Sequence, residues 1–357
     1  MQVRADQLAA HLQRGLAPLY TVHGDEPLLA LEAADAIRAA ARAAGHTERE
    51  VHTVAGAHVD WSGILGGAQA MSLFADKRLI EIRIPSGKPG KDGSAALQAH
   101  AARLPEDTLT LVSLPRLDRM QMNSAWFGAL EAAGVVVKVE PVGRAALPAW
   151  LARRLAAQGQ HVAPGPEGEQ ALARFADRVE GHLLAAAQEI RKLALLHPPG
   201  TLSAAQIEAA VLPVARYDIF KLGEALLGGQ IARLRRMLAG LEAEGEAAVL
   251  VHWAIADDIR ALRRCRLALD AGQPLAAVLR EQRIWGPKEA LYERALPRLD
   301  AARLDAALAD AHRCDGIVKG LPQPGWPASP WAALEQLALS LALPLAAPAR
   351  AAAPRRG

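Results

Sequence analysis

Through its first 140 residues the chain alternates short apolar runs with helix-like stretches, and then the alternation stops. The apolar runs are PLYTVH (18–23), EVHTV (50–54), RLIEIRI (78–84), TLTLVSL (108–114) and VVVKV (135–139). Helical patterns lie between them, near 27–44, 60–71, 94–103 and 119–133. Strands separated by helices cannot pair as hairpins, so the pattern predicts a mostly parallel sheet with helices on both faces. The helix near 27 has a start signal, with Asp25 and Glu26 ahead of Pro27 at its first position.

After Pro141 the strands are expected to stop. Residues 145–211 read as a small helical unit, in which HLLAAAQEIRKLALL (182–196) is amphipathic, HPPG (197–200) ends that helix, and Ser203 caps the next. From 213 to 345 the pattern is helical again, with runs near 218–228, 231–243, 247–270, 274–281, 287–295, 301–313 and 331–343, broken by GLPQPGWPASP (320–330). The expected organisation is an α/β domain over 1–142, a helical domain over 143–212, a larger helical domain over 213–345 and a disordered tail over 346–357.

Alanine-rich composition with only 4% aromatic residues favours helix over sheet. No apolar run reaches the length of a membrane span, and the N-terminal MQVRADQLAAHLQRG lacks the apolar core of a signal peptide, so a cytoplasmic protein is expected. Cys265 and Cys314 have no CxxC partner and suggest neither zinc nor a disulfide framework. The basic excess of the chain lies in Arg350, Arg355 and Arg356, because 1–345 carries equal numbers of basic and acidic groups. Nucleic-acid contact must therefore come from local arrangement rather than from a global field.

An α/β domain followed by helices suggests a nucleotide-hydrolysing module, yet the phosphate loop is missing. The turn after the first strand reads HGDEPLLA (23–30), in which only Gly24 suits G-x-x-x-x-G-K-[ST]. Asp25 and Glu26 place carboxylates at a helix N-terminus, where they would repel phosphate. Ser113, Leu114 and Pro115 after the fourth strand offer no acidic pair for magnesium. PSGKPGKDGS (85–94) has glycines and lysines at the wrong spacing and reads as a mobile surface loop. Neither HExxH nor G-x-S-x-G occurs, so no catalytic residue, metal site or cofactor is expected.

One segment stands out. Asp60 can cap a helix through WSGILGGAQAM, and at ~100° per residue Trp61, Ile64, Leu65, Ala68 and Met71 share a face that should pack on the sheet. On the same wheel Leu73 and Phe74 fall roughly 115–145° from that face. Two readings stay open: a loop tucks both into a satellite core, or they form a protruding tip that enters a pocket on another protein. Fully buried, each would contribute about 1.5–3 kcal/mol.

QAMSLF (69–74) resembles the clamp-binding element of the delta subunit of the bacterial DNA polymerase III clamp loader. In the same order, YTVHGDEPLL (20–29) is similar to that family's degenerate nucleotide loop and NSAWFGAL (123–130) to a helix late in its first domain. EGHLLAAAQEIRKLALL (180–196) is similar to its lid domain, and ARYDIFKLGEALLGG (215–229) to the start of its collar. The resemblance implies an AAA+-like fold, with a RecA-type α/β domain, a helical lid and a helical collar. It implies a non-hydrolysing subunit of the polymerase holoenzyme that binds the sliding clamp and opens its ring for loading onto primed DNA. Ser-Arg-Cys, the arginine-finger motif of neighbouring loader subunits, is also missing from this chain.

By the same resemblance Leu73 and Phe74 enter the clamp, Met71 and Ser72 shape the approach, and Gln69 either adds a polar contact or finishes the helix. The implied partners are the clamp, the delta-prime and gamma/tau subunits in a hetero-pentamer, and primer–template DNA. Trp326 lies where relatives carry a base-stacking aromatic; it either contacts DNA or packs on its prolines. Arg260, Arg263, Arg264 and Arg266 either touch phosphates or form a solvated or interface face. The alternatives are a divergent AAA+ ATPase and a nucleic-acid-binding adaptor.

Overall fold

The structure is a computed structural model and describes residues 1–56, 59–66 and 77–346. The contacts divide the chain into two compact units, 1–143 and 144–357.

In the first unit the elements run β1 (Gln2–Arg4), α1 (Leu8–Leu12), β2 (Leu19–Gly24), α2 (Pro27–Ala43), β3 (Glu48–Thr53), α3 (Trp61–Gly66), β4 (Arg78–Arg83), α4 (Gly90–Ala102), β5 (Thr108–Leu114), α5 (Arg119–Met122), α6 (Ala125–Ala133) and β6 (Val135–Val139). Among the described residues the strands form one sheet in the order β1-β6-β2-β5-β4-β3, parallel throughout. All five expected strands are present. β1 was not expected; it is three residues long with only Val3 buried, too short to show a period.

Alternation along each strand builds two cores. On one face Tyr20, Val22, Leu79, Leu109 and Leu111 pack with Ile37 and Ala41 of α2. On the other, Ile80, Ile82 and Val112 pack with Trp61 of α3, Leu97 of α4 and Phe127 of α6. The segment 85–94 departs from its reading as a loop, because α4 already starts at Gly90. Gly93 explains the difference: a Cβ there would come within 2.5 Å of the Trp61 ring, so this glycine serves helix packing rather than a turn. The helix expected over 119–133 is broken at Asn123–Ser124, after Asp118 and Gln121 form a capping box around α5.

The second unit holds α7 (Leu147–Ala157), β7 (Gln160–Val162), α8 (Pro166–Val179), α9 (Leu183–Leu196), β8 (Gly200–Leu202) and α10 (Ala204–Ala210). There follow α11 (Leu222–Leu227), α12 (Ile231–Ala243), α13 (Ala248–Asp270), α14 (Leu275–Glu281), α15 (Pro287–Ala295), α16 (Ala301–Val318) and α17 (Pro330–Ala346). Strands do not end at Pro141, since β7 and β8 form a short parallel ladder. The buried Gln160 side chain anchors it, donating to the Leu193 and His197 carbonyls at 3.1 and 2.8 Å. Ser203 caps α10 in a capping box with Gln206. Cys265 and Cys314 are free and buried in the core built by α11–α17, and burial pushes the Cys314 thiol up to about 12. Ala346 closes α17, and 347–357 lie outside the described residues. No described helix is long and apolar enough to cross a membrane.

Candidate functional site

In an open parallel sheet the crevice for a ligand lies at the carboxyl ends of the strands, where the chain switches direction across the sheet. β2 occupies that position, between β6 and β5. A cleft of about 810 Å³ opens there, lined by His23, Asp25, Lys88, Arg116, Lys138 and neighbouring residues. Gly24 has φ +153°, and a Cβ there would sit 2.0 Å from the Val139 carbonyl oxygen of β6. Its requirement for glycine is thus close strand packing. Asp25 pairs with Arg116 at 3.2 Å. The Glu26 carboxylate accepts from the Leu28 backbone N–H at 3.4 Å, so the first turn of α2 is capped by its own acidic group. Burial, with Lys138 adding to it, lowers the His23 pKa, and its ring stands edge-on to Phe127. Among the described residues no group of three His, Cys, Asp or Glu side chains could hold a metal.

The helix leading toward QAMSLF is held as its pattern predicts. Asp60 accepts from the Gly63 backbone N–H at 2.9 Å, and Trp61, Ile64 and Leu65 are buried against the sheet. Gln69, Met71, Ser72, Leu73 and Phe74 lie outside the described residues, as does Ala68.

The family model described as "DNA polymerase III, delta subunit" matches residues 20–140. The DNA polymerase III subunit delta of Escherichia coli K12 is 32% identical over 342 residues, covering 94% of this chain and 95% of that protein. This chain belongs to the DNA polymerase III delta-subunit family. The Haemophilus influenzae protein of the same name is 24% identical, covering 88% of this chain and 92% of its own length. The solved structure of the Bacillus subtilis DNA clamp loader delta protein covers 95% of this chain and 99% of its own, with a TM-score of 0.50 and 14% identity, a likeness of fold. The expected α/β class is present, a parallel sheet with helices on both faces followed by a helical region.

In this delta-family chain the aromatic candidates differ in exposure. Trp326 is half-buried and packs against the core of the helical unit. Trp285, which sequence reasoning passed over, is 60% exposed on the turn between α14 and α15. That turn is strained: Arg283 has φ +56°, a region that favours glycine. It closes α14, with the Ile284 N–H donating to the Leu279 carbonyl at 2.9 Å. The signal was present in QRIWGPK, a tryptophan beside Gly-Pro and flanked by Arg283 and Lys288. The arginines of α13 are engaged laterally: Arg260 with Asp257, Arg263 with Asp305, Arg264 with Gln282 and Arg266 with Asp270. Near the start of α13, Val249, Leu250 and Trp253 are exposed, and Trp253 meets the exposed Phe220 ring edge-on at 6.4 Å.

Proposed function

We propose that this chain is the cytoplasmic delta subunit of a clamp loader, binding the DNA polymerase III sliding clamp through Leu73 and Phe74 and opening its ring for loading onto primed DNA. The observation that carries this reading is the 32% identity to the E. coli delta subunit along nearly the whole of both chains. Physical support comes from α3, whose apolar stripe is spent on the sheet and so leaves no helical face for the two residues that follow in QAMSLF. Met71 and Ser72 shape the approach, and Gln69 lies at its start. Binding opens the ring only through higher affinity for the open clamp. The chain does not turn over nucleotide in this reading: Gly24 packs on β6 and Glu26 occupies the helix end that a phosphate would need.

Residues 143–212 then act as lid and 213–345 as collar. The exposed Phe220, Val249, Leu250 and Trp253 suit burial against the collars of neighbouring delta-prime and gamma/tau subunits in a hetero-pentamer. Primer–template DNA is the third partner. Trp285, with its ring open to solvent, is a stacking candidate beside Trp326.

The test is Leu73→Ala with Phe74→Ala, assayed by equilibrium binding to purified clamp, with circular dichroism as the fold control. Two lost hot-spot side chains amount to ~3–6 kcal/mol, so binding should weaken by more than about a hundredfold. Unchanged affinity in a folded double variant would reject the assignment. Micromolar ATP binding by the isolated chain would favour a divergent ATPase instead.

A further inference from the structure

The sheet of the first unit ends in a corner that the clamp-loader reading does not use. Glu81, in the middle of β4, is 1% exposed. Arg38 of α2 grips both its oxygens, at 2.7 and 2.9 Å. Arg49 of β3 reaches Oε1 at 2.6 Å and Arg83 reaches Oε2 at 3.3 Å. One bidentate guanidinium already balances a carboxylate. Arg38 is largely buried and is further held by Asp35 at 2.6 Å, whereas the Arg49 and Arg83 side chains are 43% and 44% exposed. Both converge on the same carboxylate, so two half-exposed cations are fixed side by side, and with Asp35 counted three guanidiniums face two carboxylates, leaving one positive charge unmatched.

The register shows what surrounds them. Arg49 lies opposite Leu79, Val51 opposite Glu81 and Thr53 opposite Arg83. In a parallel pair, opposite residues share a face. Arg49, Val51, Thr53 and Arg83 therefore share the α2 side of the sheet, and Val51 is exposed. Glu48 and Glu50 point to the other side. β3 is also the last strand of the sheet: among the described residues none pairs with its outer edge. Such an edge presents a row of backbone donors and acceptors ready for another strand.

We infer that the outer edge of β3, with Arg49 and Arg83, docks an extended protein segment carrying acidic residues at alternate positions. The segment adds a strand to the sheet. Its acidic side chains face the two arginines, and the side chains between them face Glu48 and Glu50. Strand addition takes affinity from main-chain hydrogen bonds and specificity from alternate side chains. The alternation Glu48-Arg49-Glu50 suits a partner of period two. A phosphodiester chain is uniformly negative and would meet the glutamates as well. Arg49 and Arg83 are not among the residues assigned to the QAMSLF contact, so substitutions test the two readings separately.

The test uses the full chain and a fluorescein-labelled peptide KDKVKDK, which places Asp, Val and Asp on one face of a strand and Lys on the other. Binding is read by anisotropy and by hydrogen exchange of the β3 amides. Saturable binding with slowed β3 exchange is expected. Its loss should be at least about tenfold for KKDDVKK, which has the same composition without the alternation, and for Arg49→Gln with Arg83→Gln. Because Arg38 still neutralises Glu81, that double variant should fold; if circular dichroism shows otherwise, Arg83→Gln alone serves, with a smaller loss in the same direction. The inference is overturned by no saturable binding in the millimolar range, by equal binding of the two peptides, or by indifference to the arginine changes. Tighter, arginine-dependent binding of oligo(dT) at the same amides would equally overturn it, assigning the corner to nucleic acid.

Discussion

Glu81 and Glu180 are both buried carboxylates gripped by arginine, one in each unit, but the two networks end differently. Around Glu81, a single carboxylate gathers three guanidiniums, two of them half in solvent. Around Glu180, which follows α8, charge is matched within the protein. Arg233 of α12 donates to Glu180 at 2.9 and 2.6 Å and to Gln230 at 3.0 Å. Arg144 and Arg236 both meet Asp177 at 2.7 Å. Arg233 and Glu180 side chains are each only 10% exposed. The second network therefore joins the α7–α10 region to α12 around a nearly buried pair, and its half-exposed guanidinium, Arg236, has a carboxylate of its own in Asp177. The first leaves donors at the surface. The same pair of side-chain types makes an internal fastening in one place and an outward-facing charge in the other.

That contrast can be broken by substitution. Glu180→Ala should have the largest effect, a loss of about 3–5 kcal/mol, because it strands the nearly buried Arg233 guanidinium. Urea unfolding followed by far-ultraviolet circular dichroism measures it. A loss below about 1 kcal/mol would mean that Arg233 finds enough help from Glu224 and Gln230, and that the network is not closed.

Glu81→Gln comes next, and pH sharpens the expectation. Burial works to raise the Glu81 pKa, but the hydrogen bonds and charges of Arg38 and Arg49 overcome it and hold the group at about 2, against an ordinary 4.5. A carboxylate with a lowered pKa contributes stability that is fully present above its unfolded value and is lost as pH falls toward its folded one. The difference corresponds to ~3 kcal/mol at neutral pH, fading between about pH 4.5 and pH 2. Urea midpoints of Glu81→Gln and the parent chain should thus converge as the solution is acidified across that window. A gap that stays constant would show that the glutamine disturbs packing and not charge.

The smallest effect should come from Arg49→Gln, at most about 1 kcal/mol, since a half-exposed guanidinium is well served by water. Arg233→Gln should exceed it several-fold. Equal losses from the two changes, measured by the same urea assay, would erase the distinction between the networks.

Much of this fold was legible because its strands are continuous apolar runs. TLTLVSL and VVVKV can hardly be anything but buried parallel strands, and the alternation with helices fixed the sheet type. The elements that escaped are those in which tertiary contact overrides local signal. β1, β7 and β8 are three residues each and exist because a neighbouring strand receives them. Gly90–Ser94 looks like a loop until Trp61 is placed over Gly93. The missing phosphate loop was readable from Asp25 and Glu26, but the packing of Gly24 on Val139 was not, since those residues meet only across the sheet. The Glu81 corner was invisible for a similar reason. Two of its three arginines are 43 and 32 residues away in sequence, and the third, Arg83, does not by itself distinguish Glu81 from the other charges of RLIEIRI.

The open rim of β3 also bears on how the chain behaves toward its own kind. Two copies meeting there about a two-fold axis would extend one sheet across both, and would crowd four guanidiniums, Arg49 and Arg83 from each, onto a single side of it. Mutual repulsion of those cations guards the rim against self-stacking in dilute buffer. The guard weakens as ions are added, because the screening distance shrinks from ~10 Å at 0.1 M to ~3 Å at 1 M.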